Sequence, residues 1–376
     1  MASNRRHFLK TAAAGIGFPT VIPGSALGLD GSTAPSERIA MGFIGMGNRG
    51  IGVMDAFLNH SDVQGVAVCD VHDHHYRERA WGEGRALGRL PGKEVVDTKY
   101  GNGDCLAFSS FYDLFAREDL DAVMIATPDH WHGVITLEAI KVGLDVYCEK
   151  PVTHRFAEGQ AIYRLVEKQG VVFQVGSQQR SEPVFRQAVE IVRNGHLGRI
   201  SKVEIGLPPG HADVQGSATV EEPPAGLDYD LWCGPAPVLP YMRARHHRWW
   251  RWHTAYGGGN LMDWIGHHND IAHWGIGCEN SGPVRVESKG WTWSDTDVYD
   301  TPVDYEVHSD YEGGVKGVIS TEYRKGTTWK GDHGWVWVDR GKIEASNSEW
   351  LTEGFHRGEW KAYLSPGHQR NFSRLR

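Results

Sequence analysis

At 376 residues the chain exceeds one ordinary hydrophobic core, so two domains are expected. A composition of 40% hydrophobic and 23% charged residues is that of a globular protein and leaves only an N-terminal stretch to read as unfolded. A formal net charge of −8 argues against nucleic acid as the main partner, and five scattered cysteines without a C-x-x-C pair suggest neither a zinc site nor a disulfide framework.

Residues 1–35 read as an export leader. Arg5-Arg6 followed by Lys10 gives a twin arginine and a positive start, Thr11 to Ile22 is weakly apolar, and Gly24-Ser25-Ala26 suits cleavage. The stretch is too short, and too interrupted by Gly and Pro, to span a membrane. The expected location is therefore periplasmic, or cytoplasmic if the leader does not function. Twin-arginine leaders serve proteins that fold before export, often around a cofactor.

Arg38 to Ile44 reads as a buried strand running into Gly45-Met46-Gly47-Asn48-Arg49-Gly50 and then a helix. Glycines between strand and helix allow a tight turn and let a pyrophosphate approach the helix N-terminus. A second strand from Val63 ends in Asp70, whose carboxylate would bond a ribose diol and repel a 2′-phosphate. That favours NAD, with NADP kept open by Arg77 and Arg79 downstream. A third strand from Leu120 leads to Thr127-Pro128-Asp129-His130, and a fourth from Asp145 to Glu149-Lys150-Pro151. Proline fixes the backbone after Lys150, so the ammonium is aimed, and the strand end places it over the nicotinamide half of the cleft. A strand over 171–175 completes a parallel sheet, giving a nucleotide-binding domain over 36–176.

The remainder, 177–376, reads as an α+β domain. A helix from Pro183 to Asn194 and a strand from Ile200 precede a Gly/Pro-rich excursion over 208–240. Alternating strands follow over 284–293, 303–309, 314–323 and 334–338, with a hairpin signal at Tyr311-Glu312-Gly313-Gly314. This is an open, mostly antiparallel sheet, and its exposed face is a natural homo-oligomer interface. The basic, aromatic run 243–252 reads as a folded loop near a site. Trp252 and His253, with Trp249 and Trp250, form a sugar-stacking lip or else bury the loop on the sheet; Tyr256 and Asp270 complete the candidate substrate contacts.

Between run and sheet lies Gly257-Gly258-Gly259-Asn260, three glycines and an N-cap, opening a helix. Leu261, Trp264, Ile265, His268 and Ile271 form its core stripe. Asp263 and His267 share a second stripe four residues apart, so the carboxylate can orient the imidazole and raise its basicity, as suits a general base. The pairs His246/His247 and His267/His268 lack an accompanying carboxylate or cysteine set, and no metal is expected.

With the Gly45–Gly50 turn, Glu149-Lys150-Pro151 and the Gly257–Asp270 helix together, the chain from Arg38 onward resembles the glucose–fructose oxidoreductase / inositol dehydrogenase family. The resemblance implies a Rossmann domain followed by an α+β domain, NAD(P) as cofactor, and a carbohydrate bound between the domains; export to a compartment with little free nicotinamide further predicts that the cofactor is tightly held. By position it makes Lys150, Asp263 and His267 catalytic, and Gly45, Gly47, Asn48, Arg49, Gly50, Asp70, Thr127, Pro128, His130, Glu149 and Lys150 cofactor contacts. His267 would take a hydroxyl proton while hydride leaves for the nicotinamide, with Lys150 stabilising the oxygen. It also implies further secondary structure beyond Arg376. Redox-neutral glycoside hydrolysis or elimination with retained NAD is the alternative activity; a non-catalytic sugar-binding protein ranks below it.

Overall fold

The computed structural model describes residues 33–78 and 82–375; the expected leader before residue 33, and Arg79, lie outside them. Among the described residues, those before Ile39 and those from Ile39 onward fall in two separate units. Of the first, the described part is a short 3-10 turn at Pro35–Glu37, with proline at its start.

The second unit contains two lobes. The first is built on six parallel strands, β1 (Ile39–Ile44), β2 (Val63–Cys69), β3 (Leu106–Phe108), β4 (Ala122–Ile125), β5 (Asp145–Cys148) and β6 (Phe173–Val175), in the order β3-β2-β1-β4-β5-β6. Their near-continuous apolar runs are those of strands covered on both faces. Helix α1 (Asn48–Leu58) buries Ile51, Met54 and Phe57 on one face, and α2 (Asp129–Lys141) buries Ile135 and Ala139 on the other. Burying each of the larger side chains contributes about 1.5–3 kcal/mol. The register aligns the strand ends: Ile44 pairs with Cys69 and with Ile125, and Ile125 with Cys148. Hence Gly45, Asp70, Ala126 and Glu149 leave the sheet at one level, where the strand order reverses, the usual place for a ligand crevice.

The second lobe is a seven-stranded sheet: β7 (Ile200–Gly206), β8 (Arg285–Trp293), β9 (Pro302–Asp310), β10 (Lys316–Ser320), β11 (Gly326–Gly331), β12 (Gly334–Asp339) and β13 (Lys342–Ala345), in the order β8-β9-β10-β7-β11-β12-β13. All pairings are antiparallel except β7 with β10. Helices α3 (Pro183–Arg193) and α4 (Gly259–Ile276) cover one face, burying Phe185, Val189, Ile271 and Trp274 with Trp329 of the sheet. The indole of Trp329, fully buried, donates to the Ala272 carbonyl at 3.3 Å, so its polar atom is satisfied.

Two expectations are corrected. Asn260 does not cap α4: Gly258 occupies that place, and the Asn260 amide donates instead to the Pro209 carbonyl. Nor does everything after 176 belong to the second lobe. Helix α5 (His368–Leu375) returns to the first, where the Phe372 ring lies edge-on to Phe57 at 5.9 Å and to Tyr147 at 6.1 Å, and Arg370 pairs with Asp62. One buried aromatic in an otherwise polar helix decides which core it joins.

Candidate active site

A cavity of about 600 Å³ runs from the Gly45–Gly50 turn, past the ends of β2, β4 and β5, to helix α4. The glycines have different tasks. Gly45 has φ +87°, and a Cβ there would meet the Ala126 carbonyl at 2.7 Å; a Cβ on Gly50 would stand 1.7 Å from the Gly45 oxygen. Gly47 lines the cavity and a Cβ there meets nothing within 4 Å. The first two make the turn close, while the third leaves room at the N-terminus of α1, where first-turn amides have no intrahelical acceptor. Asp70 faces the same space. Its Oδ2 accepts the Met46 amide at 2.6 Å and its Oδ1 the His72 amide at 2.9 Å. Burial pushes this carboxyl up to about 6, although both hydrogen bonds oppose the shift. A helix N-terminus, an open glycine and a half-buried carboxylate at this spacing fit the phosphates and ribose of a dinucleotide.

Glu149 is the anchor of the next segment: its Oε1 accepts from Arg49 at 3.1 Å, Gln178 at 2.7 Å and Tyr147 at 3.3 Å. His132 stands between the Thr127 carbonyl (2.9 Å) and that of Pro151 (2.6 Å), tying the end of β4 to the end of β5. Thr127, Pro128, Asn48, Arg49 and Glu149 all line the cavity.

At the far end Lys150 Nζ donates to Asp263 Oδ1 at 2.6 Å and to the Asp263 carbonyl at 2.7 Å. Arg251 Nε stands 3.2 Å from the same Oδ1. Burial disfavours the Asp263 carboxylate, but the two cations win and hold it far below the usual carboxylate range. His267 also faces the cavity and its Nδ1 has no hydrogen-bond partner. Burial, then the Lys150 and Arg340 charges, lower its pKa to about 2, so the ring is neutral at physiological pH. The expected Asp263–His267 bond is therefore corrected: the carboxylate holds Lys150 and Arg251 instead, since two charged donors outcompete a neutral imidazole.

Other predicted residues lie elsewhere. His130 is buried with its ring nitrogens near the Trp232 (2.9 Å) and Tyr256 (3.4 Å) carbonyls, away from the cavity. Tyr256 packs with Trp232, Cys233 and Trp250 in a small core, and Trp252 is buried against His211 and Tyr299; neither forms a lip. His253 stands 4.0 Å from Asp300, and Asp270 accepts both arms of Arg180 at 2.7 and 2.8 Å. Conversely, the structure adds Arg251, Arg340 and Asp129 to the cleft. Asp129 is raised to about 7, by burial first and by Asp263 in the same direction, against the pull of Arg251. Its position just after the β4 strand end was the sequence signal for it.

The fold and cleft define a two-lobed, dinucleotide-binding protein of the oxidoreductase class. Residues 39–177 match the oxidoreductase-family NAD-binding Rossmann fold and 185–343 that family's C-terminal alpha/beta domain. The chain belongs to the glucose–fructose oxidoreductase / inositol dehydrogenase family. Among curated relatives, a glycosyl hydrolase family 109 protein of Shewanella sp. (strain W3-18-1) is 29% identical over 164 residues, 40% of this chain and 34% of that one. The 2,7-anhydro-N-acetylneuraminate hydratase of Mediterraneibacter gnavus is 29% identical over 97 residues, 26% of each chain. The chain thus matches about a quarter to a third of the length of such relatives. Among solved structures, the WlbA dehydrogenase from Bordetella pertussis, in complex with NADH and UDP-GlcNAcA, superposes with TM-score 0.60 at 20% identity, over 90% of this chain and 87% of that one. Aldose-aldose oxidoreductase from Caulobacter crescentus, complexed with glycerol, gives 0.59 at 17% identity over 90% and 88%. At these identities the superpositions establish the fold.

Proposed function

We propose that the chain is an NAD-dependent oxidoreductase acting on a hydroxyl of a sugar, polyol or glycoside. The observation that carries the reading is that Lys150, from the end of a first-lobe strand, and His267, from a second-lobe helix, face one cavity together with Gly47 and Asp70. NAD, when bound, supplies the hydride acceptor. Lys150 holds the substrate oxygen and stabilises its developing negative charge. His267, neutral and with Nδ1 unengaged, takes the hydroxyl proton. Asp263 positions Lys150, and Arg251 balances Asp263. The named relatives and neighbours that act on or bind carbohydrates support the substrate class.

The test is a panel of aldoses, polyols and glycosides incubated with NAD, read as NADH formation. A substrate whose turnover is lost in Lys150→Ala supports the reading; no reduction with any member counts against it. Similarity to a glycosyl hydrolase family 109 protein favours a second reading, redox-neutral glycoside cleavage with retained NAD. Aryl glycosides separate the two: aglycone release without net NADH selects the second. Tight retention is checked by denaturing the purified protein and assaying released NAD(H).

Export through Arg5-Arg6 is part of the proposal, supported by the leader composition and checked by fractionating cells that express the full chain. A homo-oligomer is likewise proposed on the exposed Val286, Trp291 and Trp293 of edge strand β8, checked by light scattering. No helix among the described residues is long and apolar enough to cross a membrane.

A further inference from the structure

The loop after β2 and the 3-10 turn at His247–Trp252 meet in a cluster of imidazoles. His72, His75 and His247 place one ring nitrogen each within 4.8 Å of one another. His75 stacks on His247 at 3.9 Å between centroids and on His72 at 4.8 Å, and His246 lies edge-on to His247 at 3.9 Å. All four line the same cavity as Asp70.

Three features set this group apart from aromatic packing. His72 is 4% exposed, yet its Nδ1 has no hydrogen-bond partner; His246, 2% exposed, has none at either nitrogen. Leaving such groups dry is unfavourable unless something engages them. His247 has φ +47°, the one non-glycine residue with positive φ among those described, a strained conformation that persists where surroundings impose it. Carboxylates stand close by: Asp70 accepts the His72 amide and Asp73 follows in the chain, while the nearby Arg243 is paired with Glu78.

We propose that His72, His75 and His247 form a three-histidine site for a divalent transition metal of the zinc class, with a fourth position open to the cleft. Imidazole nitrogens suit zinc, cobalt, nickel and copper, whereas magnesium and calcium require oxygen ligands. Tetrahedral ligation at about 2.0–2.1 Å brings ligand nitrogens to roughly 3.3 Å apart, so the rings must close by about 1.5 Å at most and turn out of their stack so that their in-plane lone pairs converge. Burial and the neighbouring imidazoles keep the three rings unprotonated, the form that ligates. The bound ion clasps the 71–78 loop to the 243–252 segment, which already meet where Arg243 pairs with Glu78. The site does not rest on the redox reading.

The test uses the full chain, stripped with a chelator and titrated with Co(II) alone, then competed with Zn(II). One equivalent of cobalt with the visible d–d absorption of a low-coordinate nitrogen site is expected, displaced by zinc, with a rise in Tm. His75→Ala and His247→Ala should each weaken binding at least about 100-fold, since losing a ligand exceeds the loss of an outer-shell partner. Circular dichroism and the more conservative His75→Gln guard against misfolding. Lys150→Ala should keep the cobalt spectrum, so failure of the proposed redox chemistry is separable from failure of the site. No stoichiometric cobalt binding, or a spectrum unchanged in both histidine variants, overturns the proposal.

Discussion

Lys150 and Asp263, 113 positions apart, share two contacts: the ammonium donates to both the side-chain and the main-chain oxygen of the aspartate. A strand end of one lobe is thereby fastened to the first turns of a helix in the other. The two members are not equivalent, because Arg251 stands against the same carboxylate.

Removing Asp263 strips two half-buried cations of the carboxylate they share; removing Lys150 leaves Asp263 still facing Arg251. Asp263→Ala should therefore cost about 3–5 kcal/mol of stability and Lys150→Ala distinctly less. Lys150→Ala should nonetheless lower kcat by about 10²–10³-fold. Denaturant unfolding and steady-state kinetics of both variants check this; equal Tm losses would contradict the asymmetry.

His267→Ala is expected to reduce kcat by about 10²–10⁴-fold with little change in Tm. Because burial and the Lys150 charge hold the ring below the ordinary histidine range, it stays unprotonated in mildly acid solution. The acid limb of kcat/KM should then lie below pH 6.5, and a wild-type profile falling with a midpoint at or above 6.5 argues for another base.

The glycine turn gives opposite expectations at two positions. Gly50→Ala drives a Cβ into the Gly45 carbonyl and should destabilise the fold along with NAD binding. Gly47→Ala meets no atom, so it should fold with wild-type Tm while weakening NAD binding, read by calorimetric titration.

Stability should fall as pH drops below 6.5. His130, His132, His154, His267, His268 and His368 are all held below the usual value, burial being the first cause in each. In this range the unfolded chain takes up protons that the folded one refuses, so their contribution is complete above pH 6.5 and lost on acidification. Asp70 and Asp129, raised to about 6 and about 7, and Glu182, also raised, act in the opposite sense but are outnumbered by the lowered histidines. Tm measured from pH 7.5 to 5 checks the slope.

Much of the cleft could be read from local sequence because its parts sit at strand ends. Gly45–Gly50, Asp70 and Lys150 each follow an apolar run, and parallel register carries them to one level. Partner choice was less legible. The i,i+4 spacing of Asp263 and His267 permits a bond, yet only the folded chain brings Lys150 and Arg251 to that carboxylate. Trp252, Tyr256 and His130 show the same limit: an aromatic near a glycine run has one composition whether it faces a ligand or a core. Strand β11 passed unnoticed because Gly326-Thr327-Thr328-Trp329-Lys330-Gly331 has little apolar content beyond one tryptophan. The histidine cluster joins positions 72 and 75 to 247, a distance no local pattern spans.

The return of α5 means that the polypeptide, having left the first lobe before α3, ends by packing on it again from His368 onward. A body joined by a single tether can swivel freely, whereas two tethers define an axis. Two such joins restrict how the halves can turn against each other, and unfolding of the second lobe pulls on the packing of Phe372 in the first.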